Sequence, residues 1–135
     1  MKLLSDAAID EHLIHGSQLP TLQSTMHLYP IDGAVQRVAG DETTFSYRDA
    51  QWSMVIAGIA PDPADATTIE RWAKAYWTAL HPYSAGGAYV NFMMNEGQER
   101  VRATYRDNYA RLAQLKARYD PTNLFHVNQN IQPAR

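Results

Sequence analysis

The sequence predicts an α+β fold in which a small, mainly antiparallel sheet packs with two long helices and a short N-terminal helix. Apolar residues recur at helical spacing within residues 61–83 and 96–121, and the shorter segments around them have the character of strands. This order of elements is typical of helices packed on an antiparallel sheet. With 135 residues, 45% of them hydrophobic, the chain can form about one domain with its own core.

The first predicted element is a short amphipathic helix over residues 6–17. Ser5 precedes it and is a good N-cap, because a serine side chain accepts hydrogen bonds from the first backbone N–H groups of a helix. Ile9 and Leu13 lie four residues apart and therefore share one face, which is the apolar face of this helix. Gly16 ends it.

Four segments predict the strands of the sheet. Met26 and Leu28 alternate with polar residues, and a turn at residues 30–33 leads to a second extended segment, so we expect a hairpin there. The third and central strand is expected in the segment that begins with Phe45 and Tyr47 and continues through the apolar residues 52–59. A glycine-punctuated segment, residues 84–94, supplies the fourth.

Stripes of apolar residues at helical spacing predict two long helices. The first begins after early prolines and places five residues on one face: Ile69, Trp72, Ala73, Tyr76 and Leu80. The second also carries five: Val101, Tyr105, Tyr109, Leu112 and Leu115. Asp120-Pro121 ends the second helix, because the residue before a proline disfavours helical backbone and proline has no N–H group.

Composition excludes several functional classes. A net charge of −2 provides no basic surface for nucleic acid, and no run of about 18 apolar residues exists to span a membrane. Without cysteine there is no disulfide, thiolate metal site or cysteine nucleophile. The first residues lack the apolar core of a secretory signal, so we expect a soluble, cytoplasmic protein.

The histidines do not predict a metal site. His12 and His15 have helical i, i+3 spacing, but no third ligand is placed by the sequence to complete a site. The glycines of residues 84–89 fit neither nucleotide-binding frame, and no G-x-S-x-G nucleophile elbow occurs.

Tyr89 and Asn91 are the candidate site residues that the strand pattern brings together. In a strand they share one face, and a phenol beside an amide requires hydrogen-bond partners. Those partners are either a structural network within the protein or a ligand with a polar edge. The residues alone leave both alternatives open.

Three stretches resemble the C-terminal region of the berberine-bridge-enzyme-like FAD-linked oxidases. They are GGAYVNFM, the helix RVRATYRDNYARLAQLKARYDPTNLF and the terminal VNQNI. Weaker similarity extends back through PIDGAVQRV and FSYRDAQWSMVI, so the resemblance covers nearly the whole chain. It divides the chain into residues 1–83, the end of a substrate-binding domain, and residues 84–135, a berberine-like segment, which together form one compact unit.

The resemblance implies roles for individual residues. Tyr89 corresponds to the family's active-site tyrosine, which helps to deprotonate a substrate hydroxyl as hydride leaves for the flavin, and Asn91, Asn128 and Asn130 face that flavin. An ordinary tyrosine phenol has a pKa of about 10, so a tyrosine base requires a neighbouring cation or hydrogen-bond donor. The chain departs from the family where Phe92 and Met94 replace a common aromatic and acidic pair.

The residues of the tail beyond Pro121 are expected to have two roles. Leu124, Phe125 and Val127 anchor it to the body, and Asn128 and Asn130 alternate onto one face. That face is the one that the resemblance directs towards the flavin.

Three functions remain open from the sequence. The first is the C-terminal portion of an FAD-dependent oxidoreductase, which requires an FAD-binding partner chain because the FAD-binding half is not in this sequence. The second is a freestanding, non-catalytic domain that binds small molecules or forms a homodimer through the face that once met the FAD domain. The third is a cofactor-free enzyme built around Tyr89.

Overall fold

The structure, a computed structural model that describes residues 1–135, has five α-helices and one antiparallel pair of strands, and the predicted α+β class is confirmed. In chain order the elements are α1 (Asp6–Gly16), β1 (Thr25–Pro30), α2 (Ala34–Arg37), β2 (Trp52–Ala57), α3 (Ala66–Leu80), α4 (Gln98–Tyr105) and α5 (Asn108–Tyr119). Short 3-10 turns at Pro63–Asp65, His81–Tyr83 and Val90–Phe92 connect them. None of the helices is long and apolar enough to cross a membrane.

The chain forms two compact units, each built from two segments. The first consists of Met1–Ile31 and Ala50–Ala85, and the second of Asp32–Asp49 and Gly86–Arg135. The division at residues 83 and 84 was drawn from family resemblance instead of from contacts, and it stays a prediction.

The first unit packs α1 and the two strands against α3. Its strands pair in antiparallel register from Thr25 opposite Ala57 to Pro30 opposite Trp52. One face of this pair contributes Met26, Trp52, Met54 and Ile56 to a core around Met1, Ala8, Tyr76 and Leu80. The predicted stripe of α3 is confirmed, because Ile69, Tyr76 and Leu80 are buried and Trp72 and Ala73 half-buried.

Helix α1 begins at Asp6 as predicted and ends at Gly16, one residue earlier than predicted, but the face that it buries was wrongly predicted. Ser5 accepts a hydrogen bond from the Ala8 backbone N–H at 3.3 Å, as expected of an N-cap. The side chains that enter the core are Ala8 and His12, whereas Ile9 and Leu13 are 39% and 65% exposed. The reason is a polar partner: Tyr76 of α3 offers a hydroxyl that His12 can bond.

The sheet has two strands instead of four. Gly33 has a positive φ of 58°, after which residues Ala34–Arg37 turn into α2, so the predicted hairpin does not form. Consequently β2 is an edge strand of half-buried residues and not a central strand buried on both faces. Residues 84–94 contain a 3-10 turn instead of a strand.

The segment around Phe45 and Tyr47 is not a strand because it serves as a cap for α4. The Ser46 hydroxyl donates to the Tyr105 carbonyl and the Tyr47 phenol to the Ala103 carbonyl, each at 2.6 Å. Carbonyls in the last turn of a helix have no partner within the helix, so side chains from elsewhere satisfy them.

The second predicted long helix is divided into α4 and α5 at Arg106. Arg106 has a φ of 46°, which a continuous helix does not allow. After this break, Asn108 donates to the carbonyls of Gly40 and Thr43 at 2.8 and 3.1 Å. The core of the second unit gathers around both helices: Met93, Val101, Tyr109 and Ala113, with Ala88, Tyr105 and Ile131 against them.

Candidate functional site

Tyr89 and Asn91 form a hydrogen-bonded pair at the surface of the second unit. The Asn91 Nδ2 donates to the Tyr89 Oη at 2.7 Å. Tyr89 is 41% exposed, and Asn91 is exposed as well. The strand prediction was wrong for these residues, but the 3-10 turn that replaces it still brings the two side chains together.

The backbone around this pair is fixed to α4. Gly86 accepts a hydrogen bond from Arg100 at 2.9 Å, and Ala88 donates its N–H to the hydroxyl of Thr104 at 3.3 Å. Thr104 is itself buried. The Phe92 N–H donates to the Tyr89 carbonyl at 2.9 Å, which closes the turn. The site residues therefore stand on a turn that the helix holds in place.

Two aromatic rings flank the Tyr89 ring edge-on. The centroid of Phe92 lies 5.1 Å away and that of Phe45 6.4 Å away, with interplanar angles of 76° and 79°. Such edge-to-face packing is a favourable geometry for aromatic pairs. Phe45 in turn lies beneath the guanidinium of Arg48, 5.0 Å from its ring centroid. The sequence pattern predicted Phe45 only as part of a strand and gave no indication of its contact with Tyr89.

Asn128 and Asn130, the two other predicted site residues, lie in the tail of the same unit. Gln129, to which the sequence assigned no role, attaches the tail beside them. The Gln129 Nε2 donates to the carbonyls of Met93 and Met94 at 2.9 and 3.0 Å. Alternation along VNQNI places Gln129 on the face opposite to Asn128 and Asn130, and this spacing could have indicated that Gln129 faces the protein. Asn128 is exposed with a φ of 59°, whereas Asn130 is half-buried.

The apolar residues of the tail do not anchor it, contrary to the prediction. Leu124, Phe125 and Val127 are 70%, 77% and 78% exposed. The tail is instead held by hydrogen bonds, among them Gln132 N–H to the Tyr109 phenol at 3.2 Å and Ala134 N–H to the Ala113 carbonyl at 2.9 Å.

Asp120 fixes the turn at which the tail begins. Its carboxylate accepts from the N–H groups of Leu124 and Phe125 at 2.8 and 3.0 Å, and from Lys116. The Lys116 hydrogen bond, helped by the backbone donors, holds the pKa of this carboxyl below its usual value. The Leu124 and Phe125 side chains are thereby presented outwards on an ordered turn.

Other features of the molecule lie apart from these residues. An open groove between α4, α5 and the tail is lined by Arg102, Arg106, Tyr109, Gln132 and Arg135, among others, and by none of the predicted site residues. No group of three or more His, Cys, Asp or Glu side chains is arranged to hold a metal ion.

Residues 88–132, which contain the turn, α4, α5 and most of the tail, match the family described as "Berberine and berberine like". All four predicted site residues fall inside this match. Residues 88–132 are a berberine-like segment, as the resemblance of the sequence predicted.

Two relatives of the chain are named FAD-linked oxidoreductases, and a third is named an oxidase. An FAD-linked oxidoreductase of Dictyostelium discoideum is 32% identical over 115 residues, or 84% of this chain and 25% of that protein. The uncharacterized FAD-linked oxidoreductase YgaK of Bacillus subtilis is 32% identical over 134 residues, 99% of this chain and 30% of that protein. A xylooligosaccharide oxidase of Thermothelomyces thermophilus is 30% identical over 112 residues, 76% of this chain and 22% of that protein.

The fold agrees with that of a solved structure. A variant of the BBE-like 1 protein of Physcomitrella patens superposes with a TM-score of 0.84 at 23% identity, covering 97% of this chain and 28% of that one. The chain thus spans between 22% and 30% of the length of the relatives and the structure compared.

The residues present fit the flavin end of FAD better than its phosphates. The Oδ1 of Asn130 is buried without a hydrogen-bond donor, and a ligand N–H or hydroxyl would satisfy it once the side chain turns to expose this oxygen. Isoalloxazine and ribityl groups carry such donors. By contrast, the sequence contains neither glycine-rich phosphate-binding frame.

Proposed function

We propose that this chain is the C-terminal, substrate-facing and flavin-facing portion of an FAD-dependent oxidoreductase that oxidises a hydroxyl or amine group by hydride transfer. The observation that carries the proposal is an accessible phenol, Tyr89, that receives a hydrogen bond from Asn91 on an ordered turn. The FAD-binding half is supplied by the remainder of a longer polypeptide or by a partner chain. Cytoplasmic location and dimerisation stay predictions.

In this proposal Tyr89 is the base. Its ionised phenol removes the proton from a substrate hydroxyl while the carbinol carbon loses a hydride, so the alcohol becomes a carbonyl. When bound, FAD supplies the hydride acceptor for that step. An N–H donor such as Asn91 stabilises the negative charge of a phenolate oxygen, and this meets the need of a tyrosine base for a polar partner.

Asn130 and Asn128 complete the proposed flavin-facing surface. Asn128 is exposed and offers its amide, and the half-buried Asn130 would offer its Oδ1 acceptor by turning outwards. The exposed side chains of Phe92, Phe125 and Val127 provide apolar surface for burial against the FAD-binding half. Because one relative is named a xylooligosaccharide oxidase, we propose a sugar-like hydroxyl as the first substrate class to test.

A chimera tests this function. The region of YgaK that aligns with the chain, 134 residues, is replaced by this chain, and flavin absorbance near about 450 nm is followed during anaerobic addition of oligosaccharides and simple alcohols. We expect the yellow protein to be bleached by substrate, and Tyr89→Phe to slow bleaching by about 100-fold or more. Tyr119→Phe, at a phenol that is 73% exposed in the same unit, is the matched control.

Two results contradict the proposal. A folded chimera without flavin shows that these residues do not complete an FAD site. If substrate bleaches the yellow Tyr89→Phe chimera at the same rate as the parent chimera, Tyr89 is not the base.

The exposed apolar side chains also favour a second candidate, a domain that dimerises without flavin. Met94, Leu124, Phe125 and Val127 are each at least 70% exposed, and their burial between two copies would stabilise a dimer. Sedimentation of the chain alone decides this candidate: a dimer that Phe125→Ser converts to monomer supports it, and a monomer at about 100 μM contradicts it.

A further inference from the structure

We propose that Asn91 is a positioning residue for Tyr89 and not a ligand of the flavin. This inference rests on the proposed function and changes one part of it, since the sequence resemblance implied that Asn91 faces the cofactor. One of the two amide N–H groups of Asn91 is used within the chain, as the donor to the Tyr89 Oη at 2.7 Å.

The direction of this hydrogen bond determines which lone pair of the Tyr89 oxygen is free to take the substrate proton. A phenol oxygen can accept one or two hydrogen bonds and donate one. Because Asn91 contributes an N–H, it cannot accept the phenolic proton, so the Tyr89 O–H is directed away from Asn91. Tyr89 is 41% exposed, which leaves its hydroxyl accessible to a substrate.

The rings on either side cannot provide this orientation by themselves. The rings of Phe45 and Phe92 form T-shaped pairs with the Tyr89 ring at 79° and 76°, which restricts the plane of the Tyr89 ring. Neither carries a polar atom, so neither can set the direction of the hydroxyl proton. The two phenylalanines and Asn91 therefore have separate tasks. The rings hold the Tyr89 phenol in place. The Asn91 amide determines which lone pair of the phenol oxygen, and which direction for the proton of the neutral phenol, remains available.

The turn makes Asn91 suited to this role through its backbone. The hydrogen bond from Phe92 N–H to Tyr89 C=O, 2.9 Å, and that from Gln129 to the Met93 carbonyl, 2.9 Å, fix the chain on both sides of Asn91. A side chain that is two residues from its partner and held on a closed turn loses little entropy when it forms the bond. A substitution that removes the donor should therefore alter Tyr89 without unfolding the unit.

The first experiment uses the chain alone, labelled with 13C at the tyrosine ring, so that its result does not depend on flavin. We expect the Tyr89 Cζ resonance and its contacts to Phe45 and Phe92 to change in Asn91→Leu and in the isosteric Asn91→Asp, which replaces the donor with an acceptor. Asn95→Leu, at an exposed asparagine four residues further on, is the matched control and should leave Tyr89 unchanged.

The second experiment uses the chimera with YgaK. Asn91→Leu should slow substrate-driven bleaching by about 10-fold to 100-fold, as expected when a catalytic group is misplaced, while flavin content and the flavin spectrum stay those of the parent. Asn91→Gln, which keeps an amide donor on a longer arm, should recover part of the rate.

Two results overturn the inference. If Tyr89 resonances in Asn91→Leu coincide with those of the parent, the hydrogen bond does not position the phenol. If Asn91→Leu loses flavin or shifts its spectrum while the rate per bound flavin is unchanged, Asn91 is a flavin ligand. An inactive chimera with altered Tyr89 resonances in the isolated chain would contradict the proposed function and leave the positioning role of Asn91 supported.

Discussion

The Nδ1 of His12 and the Oη of Tyr76 lie 2.7 Å apart and connect α1 to α3 inside the first unit. Tyr76 has no exposed surface and His12 is 7% exposed. The rings of His15 and Trp72 pack against Tyr76, with centroids 5.2 and 5.7 Å away. This is a polar pair in an otherwise apolar core, and burial raises the pKa of Tyr76 to about 12.

Tyr76→Phe should destabilise the protein by about 1–3 kcal/mol, because it leaves the buried His12 Nδ1 without its partner. Chemical denaturation followed by circular dichroism measures the free energy of unfolding. Tyr119→Phe removes a hydroxyl from an exposed tyrosine and serves as the control. Equal stability of the two variants would show that the His12–Tyr76 hydrogen bond makes no net contribution to the free energy of unfolding.

Stability should also fall in mild acid because of His12. Burial lowers the pKa of His12 from its ordinary value of 6.5, so the unfolded chain binds a proton more readily than the folded one. The contribution of neutral His12 to the free energy of unfolding is therefore present in full above pH 6.5. It is lost as the pH falls through the lower pKa of His12 in the folded state.

Denaturation at several values between about pH 5 and 8 measures this dependence. We expect His12→Asn to flatten the acid side of the profile, and His81→Gln, at an exposed histidine, to leave it as it is. A profile with the same acid slope in His12→Asn as in the parent would assign the effect to other groups.

Gly87→Ala should destabilise the second unit. A Cβ at this position would lie 2.0 to 2.1 Å from ring atoms of Tyr47, which is held by its bond to Ala103 and by the Arg106 guanidinium stacked 3.8 Å above it. Forcing such a contact costs about 1–3 kcal/mol. Gly40→Ala meets no heavy atom within 4 Å and is the control for a glycine replacement as such. A Gly87→Ala protein as stable as Gly40→Ala would refute the close packing.

Asp120→Ala should release the turn that presents Leu124 and Phe125. Both backbone N–H groups lose their acceptor, so their hydrogen exchange should accelerate while that of α3 is unchanged. Because the folded-state pKa of Asp120 is lowered, the same release should occur in the parent as the pH falls below about 3.8. Asp10→Ala, at an exposed residue of α1, is the control. Unchanged exchange at Leu124 would show that other contacts hold the turn.

The helices were the most predictable part of the fold. The N-cap at Ser5 and the buried stripe of α3 follow from local rules, capping and 3.6-residue periodicity, that operate within a few residues. The break at Arg106 could not be predicted in the same way, because the partners of Asn108 are more than 60 residues away in the chain.

The candidate site was found in part for a reason that proved incorrect. The sequence joined Tyr89 to Asn91 through strand alternation, whereas a 3-10 turn closed by the Phe92 N–H brings them together. The contribution of Phe45, 44 residues earlier, could not appear in any local pattern, since only the folded second unit places its ring against Tyr89.

The sequence by itself determined the α+β class, the positions of α1 and α3, the berberine-like segment and the pairing of Tyr89 with Asn91. The tertiary structure alone decided which face of α1 is buried, where α5 begins, and that Leu124, Phe125 and Val127 point outwards. The physical reason is that spacing records which residues share a face, but not what that face meets. The Tyr76 hydroxyl for His12 and the Asp120 carboxylate for the tail decide that, and both are contacts that exist only after folding.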